Sequence, residues 1–523
     1  MYILKYTEGW GHNLERRKIV RFIAVVTVVL FFTRFLGLIR EAVLAATYGA
    51  GDISDAFVMA FTIPNTVLAC IGTSIGTVYT PIYHEVKDDK NRFTSNVINI
   101  VLILGIALTL LFSLCPGVLA KLFATGFNDY SYALTVKFIR VMMLSTIPIL
   151  LFNVLKAYLQ IKQAFFWANA VEAFINLAVI AGIGISRITG TLCIMAVATV
   201  IGNYLCLFAL TISCYKNELK YEKYLNFRDD GIKKILYLMM PVFIGTVVAE
   251  LNTVVDKSFA SSLSTGTVSA MNYATKINGI LYSLLSTSVS TVLYPELALA
   301  AKTNNVDKVR SYVNKCVRTM SFVILPITIF VIFEAEPIVM VLFQRGSFTH
   351  DNTVITAQCL QMYALGYLAT NINPILQRVF YVYDDTKTPT INSIIAIVMN
   401  IILNFLTVRK LAHIGLCLST SIAEIVTTAL LLLQIRNIVK NLELRRSFVD
   451  IFKIGISSLS MILPLLLIER IICFGTSWRA ILVKLMVVGI ASFGIFILTN
   501  VVLHSGTIAD LKEILRAKHG RQS

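Results

Sequence analysis

Apolar runs of about twenty or more residues recur along this chain between residues 19 and 504, separated by short polar breaks. A helix needs about 20 apolar residues to cross a bilayer, and backbone in lipid must satisfy its own hydrogen bonds. The pattern therefore admits one class of solution, a bundle of membrane-spanning helices. Composition agrees: 57% of the 523 residues are hydrophobic and 14% are charged, against about 25% charged in soluble domains. The net charge of +17 does not point to nucleic acid, because the basic residues lie between apolar segments, where topology determinants belong.

Hydropathy and breakers predict an all-α polytopic membrane protein with about fourteen transmembrane helices. They fall near 19–47, 54–84, 93–119, 131–160, 166–186 and 190–214, then 235–262, 266–300, 310–333, 352–382, 388–408 and 411–436, and last 450–471 and 477–504. The opening MYILKYTEGWGHNLERRK leads into a retained first span, since no small-residue cleavage site follows it. Basic residues concentrate in alternate loops, including Lys216–Lys234 and Arg436–Arg446, which predicts an even number of spans with both termini cytoplasmic.

The chain repeats itself. IGTSIGTVYTP (71–81) resembles LSTSVSTVLYP (285–295) at an offset of 214. LFATG (122–126) recurs as LFQRG (342–346), and Asn169 matches Asn392. Three anchors in one order imply two duplicated six-helix lobes. The predicted organisation is a cytoplasmic N-terminus (1–18), a first lobe (19–214), a cytoplasmic linker (215–234), a second lobe (235–436), a final helix pair (450–504) and a cytoplasmic tail (505–523). Transporters built from repeats place substrate between them.

The segment TRFLGLIREAV (33–43) carries Arg34, Arg40 and Glu41 within an apolar run. A charge at mid-helix costs roughly 2.5–3.5 kcal/mol on insertion scales, so these groups either snorkel to a headgroup layer or face a wet or paired interior. Asp55, opening the second helix, is a partner for either arginine or a cap for its own helix. The second lobe holds Asp256 and Lys257 near the duplicated position of Arg40 and Glu41, with Lys276 in the next helix. Arg34, Arg40, Asp55, Asp256, Lys257 and Lys276 are the candidate headgroup-binding residues. Asn400 and Asn404 share one helix face; with Thr420 and Glu250 they supply oxygens for a candidate Na⁺ site, against interhelical hydrogen bonding as the competing reading. Glu172 and Glu424 read equally as proton carriers or interhelical hydrogen-bonding groups.

The nine cysteines are scattered with no CxxC pair, and no P-loop, HExxH or nucleophile elbow is present. No catalytic constellation and no resident cofactor is expected, and any energy for transport must come from membrane potential or coupled Na⁺ or H⁺.

TRFLGLIREAVLAATYGAGDISDAFVMAFTIPN, LFQRGSFTHDNTVITAQCL and FYVYDDTKTPTINSIIAIVMN, in this order and spacing, resemble the MurJ/MviN family. These are the lipid II flippases of peptidoglycan synthesis, within the multidrug/oligosaccharidyl-lipid/polysaccharide exporter superfamily. The resemblance implies a V-shaped pair of lobes around a cationic cavity, and a groove for a polyprenyl chain at the last two helices. It carries the family's first-helix arginines onto Arg34 and Arg40 and its second-helix aspartate onto Asp55. The eighth helix here reads Thr275–Lys276, keeping only the cation of an acidic–basic pair, and the second helix reads NTVLACIG where many members hold arginines. The implied partners are a polyprenyl-pyrophosphate-linked glycan, membrane lipids and cell-wall synthesis proteins. Export of another polyprenyl-linked glycan, cation-coupled drug export and a non-transporting cell-wall scaffold are the alternatives.

Overall fold

The protein is described by a computed structural model covering residues 14–86, 89–280, 297, 300, 303, 305–383, 385–438, 444–471, 475 and 477–503. The repeat at 285–295, the later part of the predicted helix 266–300, the tail 505–523 and most of the predicted N-terminal segment lie outside those residues. Among the described residues all regular structure is helical, and ten helical runs are long and apolar enough to cross a membrane.

In chain order the first lobe comprises α1 (Leu14–Tyr48), α2 (Asp52–Glu85), α3 (Lys90–Leu114), α4 (Asp129–Ile161), α5 (Phe165–Thr189) and α6 (Cys193–Lys216). The second comprises α7 (Asp230–Ser261), α8 (267–280), α9 (Val306–Phe343) and α10, whose parts His350–Leu365 and Tyr367–Tyr381 meet at Gly366. The run Lys387–Ile438 reverses at Ala412, which has φ 47, giving α11 (387–411) and α12 (413–438). The last pair is α13 (Leu444–Leu459 and Ile462–Ile471) and α14 (Trp478–Val502).

Breaks follow chemistry. Pro64 sits in a π-helical turn of α2 over Ile63–Leu68, because a residue without an N–H cannot continue the ladder. Pro116 ends α3 five residues before the predicted 119 and opens a short separate helix, Pro116–Phe123. Conversely, α9 runs ten residues past its predicted end at 333. Its backbone kinks at Glu334, and that carboxylate is buried 3.4 Å from Lys484 of α14.

Within the first lobe α5 packs on α6, α2 on α4 and α1 on α5; within the second, α9 packs on α10 and α7 on α11 and α12. The final pair leans on α9, with Met461, Leu465, Val488 and Phe496 against Phe322 and Phe330. Arg318 to Asp450 (3.1 Å) and the Glu334–Lys484 contact tie it at two heights. The segment 217–229 joins the lobes on what we call the linker face; the α1–α2 and α7–α8 turns define the far face.

The far face shows the repeat as reciprocal contact. A Cβ on Gly126 would stand 2.2 Å from Ser262, and one on Gly346 would stand 2.1 Å from the Ala46 carbonyl oxygen. Gly126 and Gly346 close the repeated LFATG and LFQRG segments, so each lobe presses its copy of that turn against the other lobe's first helix.

Candidate functional site

Three groups of polar side chains lie along the lobe boundary. The first closes the far face. Asp55 does not pair with an arginine or cap its own helix. It accepts hydrogen bonds from the Gly266 N–H (2.7 Å), the Ser269 N–H (2.7 Å) and the Ser269 hydroxyl (2.6 Å), at the start of α8. A helix N-terminus offers free N–H groups and positive potential to an anion. Here the two lobes' equivalent helices meet end to end, since Asp55 and Ser269 are separated by the repeat offset of 214. The Ser347 N–H donates to the Ala46 carbonyl (2.8 Å), its hydroxyl donates to the Thr47 carbonyl (2.9 Å), and the Tyr273 hydroxyl donates to the Gly49 carbonyl (3.1 Å).

Gly346 makes this closure sterically dependent on glycine, having φ +60 as well as the Ala46 contact. Gly346→Val should therefore hold the lobes apart, costing about 1–3 kcal/mol in clash and about 1 kcal/mol more for a left-handed backbone. A cysteine placed at Ala50 should then react faster with a membrane-impermeant maleimide than in the Gly346 background. Equal rates would show that closure does not depend on this turn.

The second group is ionic and lies roughly 12–15 Å below the far ends of α1, α2 and α8, at 1.5 Å per residue. Arg40, buried, bonds its neighbour Glu41 at 2.5 Å and stacks 4.6 Å from the Phe61 ring centroid. From the other lobe the Lys257 ammonium donates to Thr62 Oγ1 (2.7 Å) and reaches Asn272 Oδ1 (3.5 Å). Lys276 and Lys257 both act electrostatically on Glu41, and Arg34 acts on Lys276. With every side chain charged, three cations and one carboxylate would bring the cluster to +2 before Arg34 is added. Arg34 itself is exposed on α1, whereas Glu41 is buried. The Nε of Arg40 is buried with no hydrogen-bond partner among the described residues, so the cluster has donor capacity to spare.

The third group lies inside the second lobe. Asp256 accepts from Asn404 Nδ2 (2.7 Å) and the Thr420 hydroxyl (2.9 Å), and Asn404 Nδ2 also lies 2.9 Å from Asn400 Oδ1. Asp256 thus leaves the headgroup set in which the sequence placed it, and Glu250 leaves the Na⁺ set. Six helical residues turn a side chain by about 120° and move it about 9 Å along the axis. When Asp256 faces the amides of α11, Glu250 is therefore exposed elsewhere on α7. It lies in electrostatic range of Cys70 and Lys257, near the Ser74–Thr246 hydroxyl contact that joins α2 to α7 at 3.1 Å.

Asp256 and Lys257 are consecutive residues of α7, so their side chains diverge by about 100°. One faces the amide cluster and the other faces the opposite lobe. Elsewhere Glu172 pairs with Lys156 at 3.0 Å, and Glu424 accepts from Asn373 at 3.3 Å. Sequence reasoning missed Thr62, Asn252, Asn272, Lys156 and the role of Ser269. The repeat offset signalled the last of these; Thr62, Asn252 and Asn272 are neutral polar residues inside apolar helices and signalled nothing, and Lys156 owes its role to Glu172 on another helix.

The architecture is that of a two-lobed membrane transporter. It overlays an inward-facing multidrug resistance MATE family transporter of the MOP superfamily with a TM-score of 0.65 at 16% identity, covering 80% of this chain and 99% of the other. That likeness shows the fold. The family model described as "Lipid II flippase MurJ" matches residues 44–493, and the chain belongs to the MurJ family. It is similar to the "Lipid II flippase MurJ" of Thermosipho africanus, 28% identical over 445 residues, covering 85% of this chain and 90% of the relative. It is 29% identical over 422 residues to a Rickettsia prowazekii protein named "Probable lipid II flippase MurJ", covering 76% of this chain and 80% of that one. A solved structure titled "Lipid II flippase MurJ, inward closed conformation" overlays with a TM-score of 0.80 at 26% identity, covering 93% of this chain and all of the other.

Proposed function

We propose that this protein carries lipid II from the cytoplasmic to the outer leaflet by alternating access of its lobes. The observation that carries this reading is the ionic cluster of Arg40, Glu41, Lys257 and Lys276, richer in cations than in carboxylates and contributed by both lobes within long apolar helices. Family membership supports it. A pyrophosphate headgroup needs offsetting cations and a polar path, while its polyprenyl tail can stay in lipid. Arg40 and the two lysines supply charge-assisted hydrogen bonds to phosphate. The tail's natural track is the flank of α13 and α14, which stand outside the two lobes against α9. On this reading the basic linker face is cytoplasmic, by the positive-inside rule. The far face, shut by Asp55, faces outward.

Opening there breaks the bonds from Gly266 and Ser269 to Asp55, and charge offered by the headgroup to Lys257 and Lys276 is what changes between the two states. Substrate shifts the balance only by its differential affinity for them. In vesicles holding the purified protein, lipid II loaded in one leaflet should become accessible from the other. Accessibility at the rate of protein-free vesicles would refute the reading. Cell-wall synthesis proteins are the protein partners that this reading implies.

Coupling to Na⁺ is the energy source that the third group favours. Asn404 Oδ1 is buried without a hydrogen-bond partner among the described residues, while the Asn400 side-chain amide donates to Asn252 Oδ1 at 2.7 Å. An unpartnered buried acceptor close to a carboxylate suits a monovalent cation. Asp256, Asn400, Asn404 and Thr420 would hold it, and its charge would neutralise Asp256. α7 then joins the two sites, since Lys257 follows Asp256 directly. Asp256→Asn should abolish binding of radiolabelled sodium to the purified protein; retention of binding would remove this group from the account.

A further inference from the structure

The connector between the lobes is bonded along the first turns of α3. At its start Glu218 pairs with Lys162 at 2.8 Å. The Lys220 N–H donates to Asn91 Oδ1 (3.3 Å), and the Glu222 N–H donates to Ser95 Oγ (2.9 Å). The Asn226 N–H donates to Asn96 Oδ1 (2.8 Å), whose Nδ2 donates back to the Asn226 carbonyl (3.0 Å). Asn99 donates to the Tyr224 carbonyl (2.9 Å) and accepts from the Tyr221 hydroxyl (2.8 Å). Side-chain amides of a helix thus stand in for a partner strand.

An extended segment alternates its side chains. Residues 222, 224 and 226 are half-buried toward α3, whereas Tyr221, Lys223, Leu225 and Phe227 are exposed. Leu225 and Phe227 point away from the protein, and Tyr221 exposes its ring while its hydroxyl turns back to Asn99, so the large side chains of a polar connector need an explanation. The acids do not share that outward face: Glu218 is paired with Lys162, Asp229 caps α7 by accepting from Gly231 and Ile232, and Asp230 pairs with Lys233. Lys220, Lys223 and Arg228 remain exposed.

Depth supplies the explanation. Counting back about 30 Å of hydrocarbon from Leu114, at 1.5 Å per residue, reaches Ser95. The connector descends past that level to Asn99, and Ile103, one helical turn further, begins the exposed apolar surface that continues through Ile106, Leu110 and Leu111. Its outward side chains are continuous with the lipid-facing wall of α3. It also covers Ser95 and Asn96, which are buried and would otherwise meet acyl chains.

We propose that residues 219–228 form a strap seated in the bilayer interface that selects acidic phospholipid. Tyr221, Leu225 and Phe227 occupy the boundary of headgroups and acyl chains, as interfacial aromatic residues do, and Lys220, Lys223 and Arg228 meet the headgroup phosphates. Each such cation enriches acidic lipid roughly fivefold at the surface, equivalent to about 1 kcal/mol.

The test uses the full chain with Trp10, Trp167 and Trp478 replaced by phenylalanine and Phe227→Trp as the reporter, in nanodiscs of phosphatidylglycerol and phosphatidylcholine at equal mole fraction. Bromination of both lipids should quench the tryptophan strongly. Brominating only phosphatidylglycerol should quench it about twofold more than brominating only phosphatidylcholine, the readout being compressed relative to the local enrichment. Replacing Lys220, Lys223 and Arg228 with glutamine should erase that difference while leaving quenching by uniformly brominated lipid. An unquenched tryptophan in the uniformly brominated bilayer, or equal quenching by the two lipids in the unsubstituted strap, would overturn the proposal.

Discussion

Asp55→Ala should spring the far face open. The carboxylate accepts three hydrogen bonds from the start of α8, and a hydrogen bond to a charged group contributes about 1.5–3 kcal/mol net. The three share one acceptor and do not add fully. A loss of about 3 kcal/mol, or roughly 100-fold in the closed-to-open ratio, is a conservative expectation. A disulfide-forming pair at Thr47→Cys and Ser347→Cys reports closure, because the Ser347 hydroxyl sits 2.9 Å from the Thr47 carbonyl. Cross-linking should be nearly complete with Asp55 present and strongly reduced with Asp55→Ala. Asp55→Asn, which keeps an acceptor oxygen but no charge, should fall between. Unchanged cross-linking in Asp55→Ala would mean that the far face is held by other contacts.

The second large effect concerns the adjacent pair on α1. Removing one partner of a buried ion pair costs about 3–5 kcal/mol, because the survivor stays charged and desolvated. Glu41→Gln leaves Arg40, Lys257 and Lys276 with no carboxylate among them, so thermal stability should drop by roughly that amount. Beyond Glu250, in electrostatic range of Lys257, headgroup phosphate then supplies the counter-charge, and lipid II should stabilise Glu41→Gln more than it stabilises the native chain. Arg40→Gln combined with Glu41→Gln removes the pair together. Stability should recover toward that of the native chain while transport remains abolished, which separates the role of Arg40 in folding from its role in carriage. A double variant that transports at the native rate would place the headgroup elsewhere.

Helices were legible because apolar runs have a length that the bilayer fixes. The span expected at 54–84 is Asp52–Glu85, that at 190–214 is Cys193–Lys216, and that at 235–262 is Asp230–Ser261. The span predicted at 310–333 stops before Glu334, whereas α9 continues through it to Phe343. A buried acid paired with Lys484 of a distant helix leaves no trace in local sequence. Within the site, Asn400 and Asn404 share a face as their spacing suggested, since four residues is about one helical turn, and Thr420 meets them from α12. Their carboxylate was not foreseen, because the choice between Glu250 and Asp256 turns on the rotation of α7 about its own axis, which packing sets. Asp55 was misread for a related reason. Its partner is not a cation but the free N–H groups of another helix, and backbone donors have no letter in a sequence.

The central claim is that a positively charged cluster between duplicated lobes carries the lipid II headgroup across the membrane. The most direct measurement is the leaflet distribution of lipid II in cells whose only flippase is this protein, read with a probe that degrades the lipid from outside. With the native chain most lipid II should be degraded, and with Arg40→Gln and Lys276→Ala together it should stay protected and accumulate inside. Equal degradation with the two chains, at equal protein levels, would contradict the account.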